Sequence, residues 1–254
     1  MEDCSNRKKD GNGLATRESK ISSSVDRFIQ QINLMLEDII RRVDQTSPTS
    51  IVEKCSALQL DRNMVGNGVS IQSIIFSPPY ANSFDYYESY KIELIFGEYT
   101  LARHLKAFRK DLIRNYRLGG QKLGKNDNPI IESVINEIEL RIPLKEQKTG
   151  KKDGRTRLVP NMIRAYFSDM NNAIRNCTSI LEQGAYMHIV VDQSAYLGVP
   201  IPTDLILANI AEKYALEVTG ITVCRSANTS GQQLREYPYL KHLLRESIIT
   251  LKKR

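Results

Sequence analysis

Residues 70–80 read Ser-Ile-Gln-Ser-Ile-Ile-Phe-Ser-Pro-Pro-Tyr, an isoleucine-rich stretch that runs directly into a rigid polar turn. The apolar residues predict a strand over Ser70–Phe76, and Pro78 and Pro79 end it because proline lacks the N–H group that a central strand needs. Ligands of open α/β sheets bind at the carboxyl ends of strands. The sequence therefore predicts that Ser77, Pro78, Pro79 and Tyr80 lie at a functional site.

Strand and helix candidates alternate along the rest of the chain, which predicts an α/β fold. The other predicted strands are Ile51–Lys54, Tyr186–Val191, Glu217–Cys224 and Glu246–Leu251. The predicted helices are Val25–Val43, Asp85–Phe96, Tyr99–Tyr116, Pro129–Leu140, Pro160–Leu181 and Asp204–Tyr214. Residues 1–22 are polar and predict a flexible tail, and residues 145–157 predict a basic loop. The apolar face of the first helix is either part of the core or a partner interface.

The composition is that of a globular protein with a polyanionic partner. Of 254 residues, 41% are hydrophobic and 26% charged, and the net charge is +7, which favours binding to nucleic acid. No apolar run reaches the roughly 20 residues that span a bilayer, and residues 1–20 lack a signal-peptide pattern, so we expect a cytoplasmic protein. The four cysteines and three histidines have no metal-ligand spacing, so we expect no metal site.

The turn after the first isoleucine-rich strand offers hydrogen-bond acceptors and a flat ring. The Ser77 hydroxyl and the carbonyl groups of Ser77 and Pro78 accept hydrogen bonds, so the segment suits a ligand that donates them, such as an exocyclic amine. Tyr80 offers a face for stacking. The alternative is a Pro-Pro turn that ends a strand, with Tyr80 covering the core.

Residues 76–86, Phe-Ser-Pro-Pro-Tyr-Ala-Asn-Ser-Phe-Asp-Tyr, resemble the catalytic motif, motif IV, of DNA amino-methyltransferases. Further segments resemble one subgroup of that family in the right order: residues 90–94, 166–170, 187–191, 198–204 and 244–249. The resemblance covers residues 51–251. It implies a Rossmann-like class I methyltransferase sheet and an enzyme that methylates cytosine N4 or adenine N6 with S-adenosylmethionine as the cofactor. Restriction–modification is the setting that it implies.

The resemblance assigns roles to single residues. Tyr80 would stack on a target base flipped out of the duplex, and Ser77 and the Pro78 carbonyl would accept hydrogen bonds from its amine. Phe76 and Ser77 would contact the cofactor, and Asn82 would contact the base or the DNA. A serine at the first motif position favours cytosine N4 over adenine N6, and the adenine alternative stays open. Asp192, which follows the predicted strand Tyr186–Val191, is a weaker candidate for the site, and His188 is more typical of a structural residue.

Two features of the family's cofactor site are missing from the sequence. These are a glycine-rich loop after the first strand and a strand that ends in an acidic residue. Two glycine pairs do not supply the loop, because Gly11-Asn12-Gly13 lies in the polar tail and Gly66-Asn67-Gly68 fits a plain turn. In the family's sheet, the first two strands lie between strand three, here Ile51–Lys54, and strand four, here Ser70–Phe76. We therefore expect a partial sheet that lacks these two strands. The hypothesis is a split enzyme in which a second subunit supplies them and most of the cofactor site.

Two basic runs lie between the motif and the next core helix, in a helical insertion predicted at residues 98–157 of a domain spanning residues 23–254. One runs from Arg103 to Lys125, and the other runs from Lys145 to Arg157 and contains Lys151, Lys152 and Arg155. We expect both to contact DNA, mainly at its phosphates. A solvated basic face is the alternative interpretation. For the whole protein, the alternatives are a non-catalytic DNA-binding subunit and a methyltransferase that acts on an RNA base or a protein glutamine.

Overall fold

The computed structural model describes residues 7–10, 13–16, 18, 23–41, 55–66, 68–82, 84–101, 104, 107, 112–115, 123–227 and 229–254. The predicted strand Ile51–Lys54 lies outside the described residues, as does half of the predicted helix Tyr99–Tyr116. The described strands are β1 Arg7–Asp10, β2 Gly13–Thr16, β3 Ile71–Phe76, β4 Leu181–Asp192, β5 Ser194–Tyr196, β6 Val199–Ile201, β7 Leu216–Ser226 and β8 Arg245–Lys253. The described helices are α1 Ser24–Ile40, α2 Tyr86–Phe96, α3 Pro129–Thr149, α4 Val159–Ile180, α5 Thr203–Glu212, α6 Gly231–Glu236 and α7 Leu240–Leu243.

The main sheet has the strand order β3-β4-β8-β7. β3 and β4 are parallel, with Phe76 opposite Ile189, whereas β8 runs antiparallel to both of its neighbours. The fold is therefore mixed α/β, as the alternation of elements predicted. Because β3 and β4 are parallel, the chain continues past Phe76 and past Ile189 toward the same edge of the sheet, where the predicted site lies.

The main core lies between helices α3 and α4 and one face of the sheet. Tyr166, Phe167 and Met170 of α4 are fully buried, and so are Met187 and Ile189 of β4. Helix α3 adds four buried isoleucines at helical spacing: Ile131, Ile135, Ile138 and Ile142. Each buried side chain of this size contributes roughly 1.5–3 kcal/mol of transfer free energy, so α3 is integral to the core although it lies within the predicted insertion.

Helix α3 is longer than the sequence predicted. It runs to Thr149 and ends at Gly150, whose φ of 65° is the left-handed cap conformation that glycine favours. Residues 145–149, predicted to belong to a loop, are therefore helical. The helix continues past Pro143, an exposed residue, because the buried isoleucines that precede the proline hold the helix on the core.

Two hairpins lie where the sequence predicted none. β5 and β6 pair antiparallel around Leu197 and Gly198, both with positive φ, and a Cβ at Gly198 would lie 2.5 Å from the Tyr237 ring. β1 and β2 pair within residues 1–22, the segment predicted to be a flexible tail. That prediction used the absence of apolar periodicity, but backbone hydrogen bonds can pair short polar strands without it.

Two apolar surfaces remain uncovered by the described residues. Strand β3 pairs with β4 on one side alone, and Ile75 on this edge strand is 72% exposed. None of the residues of α1 is buried, although its apolar side chains repeat at helical spacing. Of the two alternatives for this apolar face, the described residues contradict packing in the core and leave the partner interface open.

Candidate functional site

The segment Ser77–Tyr80 leaves the sheet at the carboxyl end of β3. Ser77 is exposed, Pro78 is buried, and Pro79 and Tyr80 are half-buried. Ile74 and Phe76 anchor the strand that carries the segment because their side chains pack against the main core. A rigid turn of this kind holds the serine hydroxyl at the surface while the prolines fix the backbone beneath it.

Tyr86 and Asn115 hold the backbone after Pro79 in place. The Tyr80 N–H donates to the Tyr86 hydroxyl at 3.2 Å. The side-chain amide of buried Asn115 donates to the Tyr80 carbonyl at 3.3 Å and to the Phe84 carbonyl at 2.9 Å. Burial raises the pKa of Tyr86, so its hydroxyl stays neutral and keeps its proton for a further hydrogen bond. The loop that follows the motif is thus fixed at two carbonyls and one N–H group.

An ion pair of Arg114 holds the segment that carries Asn115 against helix α4. Its guanidinium meets Asp169 through Nε–Oδ2 at 2.9 Å and Nη2–Oδ1 at 2.6 Å, and its backbone N–H donates to Oδ2 at 2.8 Å. The hydrogen bonds to Asp169 raise the pKa of Arg114 further. The sequence predicted a helix here, but residues 112–115 are not helical, because Arg114 and Asn115 turn toward the core. The sequence marked Arg114 only as a member of a basic run expected to contact DNA, whereas it pairs with Asp169, and no pattern marked Asn115.

A polar cleft of about 120 Å³ adjoins the motif. Its lining includes Asn82 from the motif loop, Asp192 and Gln193 from the end of β4, and Thr229, Gln233 and Leu244 from the segment between β7 and β8. Asn82 is oriented by the Phe84 N–H, which donates to its Oδ1 at 3.0 Å. The side-chain amide nitrogen of Asn82 is thus left as the donor group. The cleft brings the predicted residues Asn82 and Asp192 together.

Asp192 is the last residue of β4 and has an unusual carboxyl group. Its Oδ1 is buried and has no hydrogen-bond partner among the described residues. Burial, followed by repulsion from Glu246 on β8, raises the pKa of Asp192 to about 6, despite the Gln193 N–H and Arg225, which lower it. A buried polar atom without a partner is rare in folded proteins, and carboxyl groups with strongly shifted pKa values cluster at functional sites.

Gln193 of the cleft belongs to a network around Asp204, a fully buried residue near the start of α5. Its carboxylate accepts hydrogen bonds from Gln193 Nε2 at 2.7 Å, Arg245 Nε at 2.9 Å and Ser247 Oγ at 3.0 Å. With these donors its two oxygens are satisfied, so Asp204 orients Gln193 and serves the structure of the cleft. Asp192, by contrast, keeps an unused oxygen.

The basic loop between α3 and α4 is ordered by its own ion pairs. Lys145 Nζ lies 2.6 Å from Asp153, and Arg157 makes two bonds to Glu146. The bonds from Arg157 hold the pKa of Glu146 at about 2. The three predicted DNA-contacting residues are exposed and form no ion pair with any described residue: Lys151, Lys152 and Arg155. Because α4 packs on the sheet and leads directly into β4, this loop lies toward the edge that carries Ser77.

The sequence also singled out His188 and considered metal binding and membrane insertion. His188 is half-buried mid-strand, with Nδ1 3.3 Å from Thr250 Oγ1 and its ring stacked on Tyr186, which fits a structural residue. Within the described ranges, no group of three histidine, cysteine or acidic residues could hold a metal ion. No helix among these residues is long and apolar enough to cross a membrane.

The described residues fit one side of a cofactor site. Ser77 is exposed and Phe76 is half-buried at the end of an edge strand, so a ligand placed beyond that edge would meet both residues. No described strand pairs with the far edge of β3, where the family's glycine-rich loop and acidic strand end would lie. A group held here would therefore need further ligating residues from elsewhere.

No protein-family model matches the sequence. The chain is 30% identical over 171 residues to the Type II methyltransferases M.AvaI of a Nostoc species and of Anabaena variabilis. The match covers 63% of this chain and 34% of each relative, so the chain spans about a third of the length of the curated relatives it matches. A structure from Thermus thermophilus, named as a candidate DNA modification methylase, aligns with 35% of this chain at 15% sequence identity. Its TM-score of 0.26 is too low for a comparison of folds. The chain is therefore homologous to part of a Type II methyltransferase.

Proposed function

We propose that the chain is the catalytic-motif part of a DNA methyltransferase that uses S-adenosylmethionine to methylate an exocyclic base amine. The observation that carries the proposal is the Ser-Pro-Pro-Tyr segment at the carboxyl end of β3, in a chain homologous to part of a Type II methyltransferase. The relatives' name refers to methyl transfer, and the net charge of +7 supports a nucleic-acid substrate. Restriction–modification is the setting that the Type II name implies.

The residues of the motif would bind and orient the target base. The base leaves the duplex, and Tyr80 stacks on it. The Ser77 hydroxyl and the Pro78 carbonyl accept hydrogen bonds from its amine and aim the nitrogen lone pair. The cofactor, when bound, supplies an electrophilic methyl group. Hydrogen bonds to nitrogen that strengthen as it becomes tetrahedral favour the transition state over the ground state.

Cytosine N4 is the proposed target, with adenine N6 as the alternative. Ser77 is neutral, and the resemblance associates serine at this position with cytosine. Both bases present an amine beside a ring nitrogen, so the amide nitrogen of Asn82 could donate to that nitrogen in either base. Mass spectrometry of methylated DNA would distinguish 4-methylcytosine from 6-methyladenine.

We further propose that a second chain completes the cofactor site by pairing with the free edge of β3. An exposed hydrophobic edge strand is a liability that proteins normally cover, and Ile75 on this edge is 72% exposed. The unburied apolar face of α1 offers the same partner a second contact. The partner would contribute a glycine-rich loop and an acidic strand end beside β3, on the edge with which no described strand pairs.

The loop that carries Lys151, Lys152 and Arg155 is proposed to contact DNA phosphates. Its charges are exposed, and its fold is held by separate ion pairs, so the three cations are available to a polyanion. Such contacts position the enzyme on the duplex and carry no sequence information.

A methyl-transfer assay with labelled cofactor tests the proposed function. The chain is assayed alone and with candidate partner chains, on DNA, RNA and protein. Label in DNA that is lost with Ser77→Ala would support the proposal. Label only in RNA or protein would replace it with one of the alternatives, and DNA binding without transfer in every combination would favour a non-catalytic subunit.

A further inference from the structure

We propose that Asp192 is a catalytic residue of this site, the base that takes the proton released by the methylated amine. The inference rests on the proposed function and adds a residue that lies outside the Ser-Pro-Pro-Tyr segment.

The proton balance of the reaction calls for a base. When the amine nitrogen bonds to the methyl carbon, the carbon–sulfur bond breaks, and the nitrogen becomes positively charged and must lose a proton. The Ser77 hydroxyl and the Pro78 carbonyl accept hydrogen bonds, but neither group is basic enough to keep a proton near neutral pH. Of the described residues that line the neighbouring cleft, only Asp192 carries a carboxylate.

The topology brings Asp192 to the motif. Phe76 of β3 lies opposite Ile189 of the parallel strand β4, so the chain reaches Ser77 and Asp192 at the same edge, within a few residues of that pair. Asn82 and Asp192 line one cleft, and Asp192 acts electrostatically on Tyr86, whose hydroxyl holds the Tyr80 N–H. Asp192 thus lies on the side of the motif that carries Asn82 and Tyr86.

The state of the carboxyl group fits an acceptor. Its Oδ1 has no hydrogen-bond partner among the described residues, so an incoming donor displaces no protein contact. The groups around it are Glu246 on β8, Arg225 on β7, Tyr86 on α2 and the Gln193 N–H. With its pKa raised to about 6, Asp192 is ionised at neutral pH and yet binds a proton more readily than an ordinary aspartate. After the product leaves, the carboxylic acid returns the proton to solvent.

The test is a single-turnover methylation rate from pH 5 to pH 8.5, in the same assay that establishes transfer to DNA. The wild-type rate should fall below about pH 6, where Asp192 becomes protonated. Asp192→Asn should lower the plateau by about 100-fold and abolish that fall, with Asp192→Glu recovering part of the rate. DNA affinity should stay within threefold, because the residue acts on the proton and not on the phosphates.

Glu246→Gln provides the matched control. Its carboxylate pairs with Arg225 at 2.8 Å and repels Asp192. Removing that charge and freeing Arg225 both lower the pKa of Asp192, so the fall in rate should move to lower pH while the plateau is retained. A ¹³C NMR titration of labelled aspartate gives a readout that needs no turnover: a carboxyl titrating near pH 6, absent in Asp192→Asn and shifted down in Glu246→Gln.

Two outcomes would overturn the inference. If Asp192→Asn methylates DNA within threefold of wild type with the same pH dependence, the proton goes elsewhere and the proposed function stands without Asp192. If wild type transfers no methyl group to any substrate, the proposed function fails and the inference fails with it. Should Asp192→Asn not fold, an unmoved pH dependence in Glu246→Gln would still overturn it.

Discussion

At the scale of single residues, Tyr80 is the side chain on which base binding most directly depends in the proposed mechanism. Stacking of a base on an aromatic ring contributes about 1–3 kcal/mol, so Tyr80→Ala should lower kcat/KM by about 5- to 150-fold. Tyr80→Phe keeps the stacking face and should stay within threefold of wild type. Steady-state methylation kinetics check both, and an equal loss in the two variants would contradict stacking as the role of the ring.

The side chain of Asn115 fixes two carbonyls of the motif loop, so its loss should disturb the geometry of the motif. Asn115→Ala leaves the Tyr80 and Phe84 carbonyls without their donor, at a cost of about 1–3 kcal/mol. We expect methylation to fall by about tenfold with DNA affinity within twofold. Asn176→Ala, which removes an exposed amide bonded to the Ala57 carbonyl, is the control and should leave the rate unchanged. A rate in Asn115→Ala equal to that of the control would mean that the loop needs no anchor.

The sequence identified the motif but not what supports it. Ser77, Pro78, Pro79 and Tyr80 follow one another in the chain, so their chemistry is visible as a motif. Asn115 and Arg114 act through contacts 31 to 55 residues away in sequence, which no local pattern encodes. Asp192 was visible only as a residue at a strand end, since its unpartnered oxygen depends on the packing of β8 and the motif loop.

At the scale of elements, the free edge of β3 predicts how the chain assembles. Ile75→Glu places a charge on an exposed position, so the unfolding free energy of the chain alone should change by no more than about 0.5 kcal/mol. The proposed partner strand would have to bury that charge, and complex formation should be lost. Val223→Glu on the opposite edge strand β7, where the side chain is 54% exposed, is the control. Size-exclusion chromatography with the partner checks the pair, and assembly of the Ile75→Glu chain would exclude this edge as the interface.

The contact between α3 and α4 predicts a pH dependence of stability. Glu132 and Arg164 form a two-bond ion pair in which both side chains are 14% exposed, and the hydrogen bonds from Arg164 lower the pKa of Glu132. A carboxylate whose folded-state pKa is lowered stabilises the fold above its unfolded pKa, about 4.5, and this stabilisation is lost as the pH falls through the lower folded-state value. Glu132→Gln should therefore cost about 1–3 kcal/mol at pH 7 and progressively less below pH 4.5.

Denaturant unfolding at pH 7 and pH 3 measures that difference. The control is Glu137→Gln, which removes an exposed pair with Arg141 and should cost less than about 1 kcal/mol at either pH. Equal losses for the two variants at pH 7 would show that the burial of the Glu132 pair adds nothing.

Among the elements, those with strong periodicity were predictable and those set by tertiary contacts were not. The strand before Ser77 and the helix α4 lie within one or two residues of their predicted bounds, because apolar periodicity reports burial directly. Residues 112–115 were predicted to be helical and are not, because the ion pair of Arg114 with Asp169 outweighs local propensity. The extension of α3 through Pro143 depends on isoleucines that pack against another helix. The sequence did not predict it because a proline ordinarily ends a helix.

At the scale of the whole molecule, the distribution of charge predicts which face meets DNA. Charge reversal at Lys151, Lys152 and Arg155 should weaken DNA binding and flatten its dependence on salt, since each lost phosphate contact reduces the slope of log K against log[salt] by about 0.9. The matched control reverses Arg175, Lys213 and Arg254, exposed cations that lie toward the opposite edge of the sheet, where β4 begins and β8 ends. Electrophoretic mobility shifts at several salt concentrations compare the two triple variants. Because both variants change the net charge from +7 by the same amount, equal weakening would mean that total charge drives binding, whereas weakening confined to the first variant assigns the DNA to the edge that carries Ser77.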